Sequence, residues 1–161
     1  MGLDVVVLTH IKKTAITYDD YEANEAALYK THMRLEPHMN FTEQADDMEP
    51  GVYQFEKAIA FYDGSYTGYN LWRKRLALIV AGREPQEIWD NPDPDIPFVK
   101  LINFSDCEGV FGAQTCKALA AEFHCWGHAV EGQSPEFQSI YWEFHKAFQT
   151  AATTDGVVVF H

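Results

Sequence analysis

Two short stretches hold most of the side chains that could do chemistry: GSYTGYNLWR, residues 64–73, and INFSDCEGVFG, residues 102–112. In the first, Ser65, Tyr66, Tyr69, Asn70 and Arg73 are spaced so that a helix brings Tyr66, Tyr69, Asn70 and Arg73 together around its first turn. The two tyrosines offer stacking faces with hydroxyl tips, Asn70 reads amide or base edges, and Arg73 grips a carboxylate or a phosphate. In the second, Ser105, Asp106 and Glu108 supply a hydroxyl and two carboxylates, which suit hydroxyls, amines or a metal. Gly109 and Gly112 would let the backbone approach a ligand closely. No P-loop lysine follows them, and the neighbouring acids repel a bare phosphate. Together the stretches describe an acidic, hydroxyl-rich, aromatic site with one strong cation, suited to a nucleotide-like small molecule.

A purely structural reading stands beside this one. Ser105 and Glu108 have the S-x-x-E spacing of a capping box, Ser65 caps the following helix, Tyr69 packs in the core, and Arg73 pairs with Asp106 or Glu108. Asp106 and Glu108 could also serve a hydrolase or transferase as an acid–base pair. Cys107 would sit near a helix N-terminus, which favours a thiolate, but two adjacent carboxylates oppose that and no histidine is linked to it in sequence. HCWGH spaces His124, Cys125 and His128 like metal ligands, yet Gly127 breaks the helix between the histidines and no second pair is evident. No metal and no cofactor is assigned.

The elements that must position these groups follow from periodicity. VVVLTHI (5–11) reads as a buried strand, residues 18–40 begin as a helix limited by Pro37, and 43–50 form an exposed loop. One or two extended segments fill 51–64. A helix follows, with Tyr69, Trp72, Leu76 and Ile79 on one face and Gly82 at its end. Residues 83–97 are an acidic, Pro-rich connection, and FVKLINF (98–104) reads as an interior strand. The next helix runs to about Trp126. Ser134 and Pro135 open a further helix with an apolar stripe at Phe137, Ile140, Tyr141, Phe144 and Phe148, and DGVVVFH ends the chain as turn and strand. The fold class expected is α+β, with a three-layer α/β arrangement as the alternative: one domain over 1–161, a central sheet of about four strands, and three to four helices.

Aligning 61–77 with 104–120 at a shift of 43 pairs Phe61 with Phe104 and Asp63 with Asp106, with five identities in seventeen positions. If the two strands were parallel neighbours, both turns would open onto one sheet edge, where ligands of open α/β sheets bind.

Charge narrows the partners. The net charge is −12, much of it in DDYE, EQADDME and DNPDPD, which argues against binding a nucleic-acid backbone. It allows an acidic module that blocks a basic host protein. Three cysteines make no disulfide framework, no apolar run is long enough to span a bilayer, and a cytoplasmic setting is expected.

The GSYTGYNLWR and INFSDCEGVFG blocks, with MGLDV at the start and FH at the end, resemble a family of uncharacterised proteins found in bacteriophages and bacteria. That resemblance spans most of the chain from about residue 51. It implies a phage context, and with it the host cytoplasm, but no particular reaction. The expected role is binding a nucleotide-like small molecule, sequestering or sensing a host nucleotide signal. The alternatives are Asp106/Glu108 catalysis, or interaction with a host protein; a homo-oligomer is compatible with any of them.

Overall fold

Residues 5–8 (VVVL) and 157–160 (VVVF) are apolar at every position, a pattern that suits a strand covered on both faces. In the computed structural model, which describes residues 2–161, both lie at the centre of a four-stranded antiparallel sheet. Strand β1 (Gly2–Leu8) is flanked by β5 (Ala58–Ser65) and β7 (Val157–Phe160), and β6 (Gly109–Phe111) lies outside β7. A smaller antiparallel sheet places β4 (Gly51–Gln54) between β2 (Lys12–Lys13) and β3 (His32–Leu35).

On one face of the large sheet, Leu3, Val5, Val7, Val158 and Phe160 pack against three long helices: α3 (Tyr66–Ala81), α6 (Ala113–Trp126) and α7 (Pro135–Thr153). On the other face, Leu8, Val110, Val157 and Val159 meet Leu35, Tyr53 and Phe55 of the small sheet and its flank. The class is α+β. The third layer is the three-stranded sheet, which the expected single sheet did not include. Four short helices raise the helix count above expectation: α1 (Tyr18–Ala23), α2 (Glu25–Leu28), α4 (Pro85–Asp90) and α5 (Val99–Ile102).

Three assignments change. Residues 18–40 stop being helical at Leu28, because HMRL pairs with β4 and this tertiary pairing outweighs the local alanine and glutamate content. The connection 83–97 contains α4, opened by Pro85 and by a reciprocal Glu84–Glu87 capping box. FVKLINF is one helical turn, not a strand. Phe98 bends left-handed (φ 60°) and donates its N–H to the Glu122 carboxylate, and Phe98, Leu101, Ile102 and Phe104 are then all buried. A short apolar run bounded by proline fits either geometry, so periodicity could not separate them.

Elsewhere local signals hold. Ser65 Oγ accepts from Gly68 N, Gly82 closes α3 in the left-handed region, and Ser134 Oγ accepts from Phe137 N with Pro135 behind it.

The helical layer meets in an aromatic stack. Phe144 lies 4.9 Å from Trp72 at an interplanar angle of 12° and also contacts Tyr62, Tyr69, Phe148 and Phe160. Phe144→Ala is expected to lower unfolding free energy by about 3–5 kcal/mol. Urea denaturation would show this as a lower midpoint at an unchanged slope.

Candidate functional site

Strand register brings the two chemistry-bearing stretches together. Gly2 faces Ser65 across β1/β5, Asp4 exchanges backbone hydrogen bonds with His161, and Phe160 faces Gly109 across β7/β6. The start of β1, the ends of β5 and β7 and the start of β6 therefore share one sheet edge. The expected common edge exists, but antiparallel strands make it, and one of the two turns enters a strand rather than leaving one.

At that edge the helical turn α5 is tied down from three sides. Glu122 of α6 holds Phe98 N, Trp89 of α4 donates its indole N–H to Ile102 O at 3.0 Å, and Arg73 of α3 donates Nη1 to the carbonyls of Ile102 and Phe104. Arg73 is only 4% exposed, and its guanidinium lies beside the rings of Tyr69 (5.2 Å) and Trp89 (5.3 Å). No carboxylate lies within ion-pair distance of it among the described residues. The expected pairing with Asp106 is indirect: Arg73 Nη2 donates to Asn70 Oδ1, and Asn70 Nδ2 donates to Asp106 Oδ2 at 2.6 Å.

Arg73, Asn103, Phe104, Ser105 and Asp106 form the floor and one side of a cleft of about 750 Å³. Trp89 and Pro92 form a second side, and the loop Asn40–Gln44 a third. Four buried side-chain polar atoms lack a protein partner among the described residues: Tyr18 Oη, Tyr69 Oη, Arg73 Nε and Asn103 Oδ1. Two of the four belong to cleft residues, and Tyr69 lies directly behind Arg73. Burial pushes the Tyr69 hydroxyl far above its ordinary pKa, with Arg73 pulling weakly the other way.

The remaining predicted site residues fall elsewhere. Ser65 caps α3, Tyr66 is half-buried against the helical core, and Tyr69 is wholly inside it, stacked near Trp72 and Phe144. Glu108 faces away, onto a smaller cleft shared with Glu36, Pro37 and His38. The Ser105–Glu108 capping box does not form. Ser105 Oγ accepts from Cys107 N and Glu108 N in a turn that leads into β6, and α6 starts only at Ala113. Gly109 opens that strand at φ 136°, where a Cβ would strike the Phe104 ring at 2.5 Å, so a side chain there would displace the cleft floor.

Sequence reasoning missed the wall formed by residues 40–44. It is neither free nor wholly exposed: Gln44 and Ala45 are buried, and Gln44 O accepts from Gly112 N. Asp46, with positive φ, places its carboxylate on the start of α6, accepting from Gln114 N (2.7 Å), Thr115 N (3.1 Å) and Thr115 Oγ1 (2.7 Å). Glycine at 112 is required, because a Cβ there would lie 2.3 Å from that carboxylate. The Asp-Asp pair at 46–47 was the available signal, since aspartate both tolerates left-handed backbone and caps helices. Trp89, inside an acidic connection, was the other.

No group of three or more metal-ligating side chains converges among the described residues. Cys107 and Cys125 are exposed and Cys116 is buried, all as free thiols. In HCWGH, His128 Nδ1 lies 3.0 Å from Cys125 O. No helix among the described residues is long and apolar enough to cross a membrane. No family model, curated protein or solved structure matches the chain.

Removing the Asp46 cap by Asp46→Ala is expected to cost about 1–2 kcal/mol of stability, read from denaturant unfolding. A second outcome concerns pH. Burial against Phe123 and Trp142, and then the nearby His124, lowers the pKa of His145. The unfolded chain then binds the proton more readily. This contribution to stability is complete above pH of about 6.5, declines as pH falls below that, and levels off once folded His145 protonates. His145→Gln should flatten the dependence in thermal melts.

Proposed function

We propose that the chain binds a nucleotide-like small molecule in the Arg73–Asp106 cleft and sequesters or senses it without converting it. One observation carries the reading: Asn103 Oδ1, a buried acceptor on a residue that lines the cleft, lacks a protein partner. Native structures leave few buried polar groups unsatisfied, and those they leave concentrate where a ligand or a function requires them. The walls support the class of ligand. Phe41 and Trp89 offer faces for a planar ring, while Thr42, Ser105, Asp106 and the amides of Asn40, Gln44 and Asn103 suit a base edge and sugar hydroxyls. Binding rather than turnover is supported because Asp106 and Glu108, the two carboxylates that could share acid–base work, open onto different clefts. The resemblance to a phage family supports a target made by the host.

Calorimetric titration with a panel of common nucleosides and nucleotides tests the proposal. Saturable heat is expected with at least one. Asn103→Ala should weaken that ligand about tenfold while leaving the urea midpoint equal or higher, because the residue spends a buried acceptor on the ligand and not on the fold. Absence of heat throughout the panel would end this reading.

A further inference from the structure

We infer that the cleft selects the uncharged form of its ligand, a nucleoside, over the corresponding phosphate ester. The inference rests on the proposed function and narrows its ligand class. Arg73 would be the natural hook for a phosphate, but it is only 4% exposed and three of its five N–H donors are already committed. Nη1 serves two main-chain carbonyls, one Nη2 hydrogen serves Asn70, and Nε is covered by protein. A buried arginine in that state cannot present the paired donors that grip a phosphate.

Backbone cradles are committed as well. The two amides of the 105–108 turn that could close on an anion, those of Cys107 and Glu108, point at Ser105 Oγ. At the start of α6, Asp46 already occupies the position where a helix N-terminus would receive a phosphate.

The surrounding charge is of the wrong sign for an anion. Asp106 and Glu43 line the cleft itself. A smaller extension of about 210 Å³ shares Glu43, Gln44 and Asn103 and adds Asp93 and Lys100. Lys100, the cation of that extension, lies 3.6 Å from Glu43. Three carboxylates thus face one lysine and one buried arginine, in a chain of net charge −12. A neutral ligand meets no such penalty. Asp106 keeps an oxygen beyond the one bonded to Asn70, and this oxygen is suited to accept from sugar hydroxyls.

The test compares adenosine, guanosine, cytidine and uridine with their 5′-monophosphates by calorimetry on the intact chain, at about 20 mM and about 500 mM salt, where charge interactions are exposed and then screened. For whichever base binds, the nucleoside is expected to bind at least about tenfold more tightly than its monophosphate at low salt, with the ratio shrinking at high salt. Glu43→Gln should narrow the low-salt ratio by about threefold, by removing one rim charge and releasing Lys100. A monophosphate binding as tightly as the nucleoside, or a ratio unmoved by both salt and Glu43→Gln, overturns the inference and leaves the proposed function standing. Saturable binding by neither form of any base overturns both.

Discussion

A guanidinium buried without a carboxylate in contact is the constraint around which the functional end of this molecule is built. Removing such a charge from water costs several kcal/mol unless dipoles replace the lost hydration. Around Arg73 those dipoles are the carbonyls of Ile102 and Phe104, the amide of Asn70 and the faces of Tyr69 and Trp89. Each fixes something further. The two carbonyls point at Arg73 because residues 99–102 make a helical turn there, and that turn depends on the left-handed bend at Phe98 and on Glu122. Asn70 passes the field of Arg73 to Asp106 and so holds the carboxylate at the cleft. Arg73 thereby ties α3 to the α5 turn, and Trp89 and Glu122 tie α4 and α6 to that same turn.

The sheet makes this convergence possible. With β1 and β7 apolar on both faces, helices cover one side and the small sheet the other, leaving an edge as the place where polar groups can gather. The register of the antiparallel pairs delivers Ser65 and Gly109 to the same edge, so α3 begins beside the 105–108 turn. A residue at the bulge in β5, Phe61 opposite the Val5–Val6 step, lets that strand keep Tyr62 against the helices.

How far this was legible in the sequence depended on whether the deciding contact was local. Ser65, Gly82, Ser134 and Pro135 act on their own helices, and these ends fell where their residue types put them. Asn70, Arg73, Ser105 and Asp106 were also recognisable as a group, because side-chain chemistry and helical spacing suffice to nominate them. What could not be read depended on distant partners. FVKLINF became a helical turn because Glu122 and Arg73 bind its backbone, and neither is adjacent to it in sequence. Tyr69 had two readings, pocket wall by its hydroxyl and core by its place on the apolar face of α3, and packing against Phe144 and Phe160 decides for the core. SDCEG kept the hydroxyl-to-amide bonds of a cap but not the helix, as β6 pairs with β7 before α6 can start.

The loop 40–47 shows how one interaction can build a site and limit it together. Helix α6 opens with Gly112, which has no side chain to satisfy the free amides of the first turn. Asp46 supplies the missing cap from the opposite wall, and so holds Phe41–Gln44 in place as the third side of the cleft. A wall built this way uses up the helix end that would otherwise attract an anion and puts a further carboxylate near the site. Arg73 follows the same logic from below, since three of its donors support the floor and the packing that buries it covers Nε. The groups left for a ligand are those the fold does not consume: aromatic faces, amides, hydroxyls and an oxygen of Asp106.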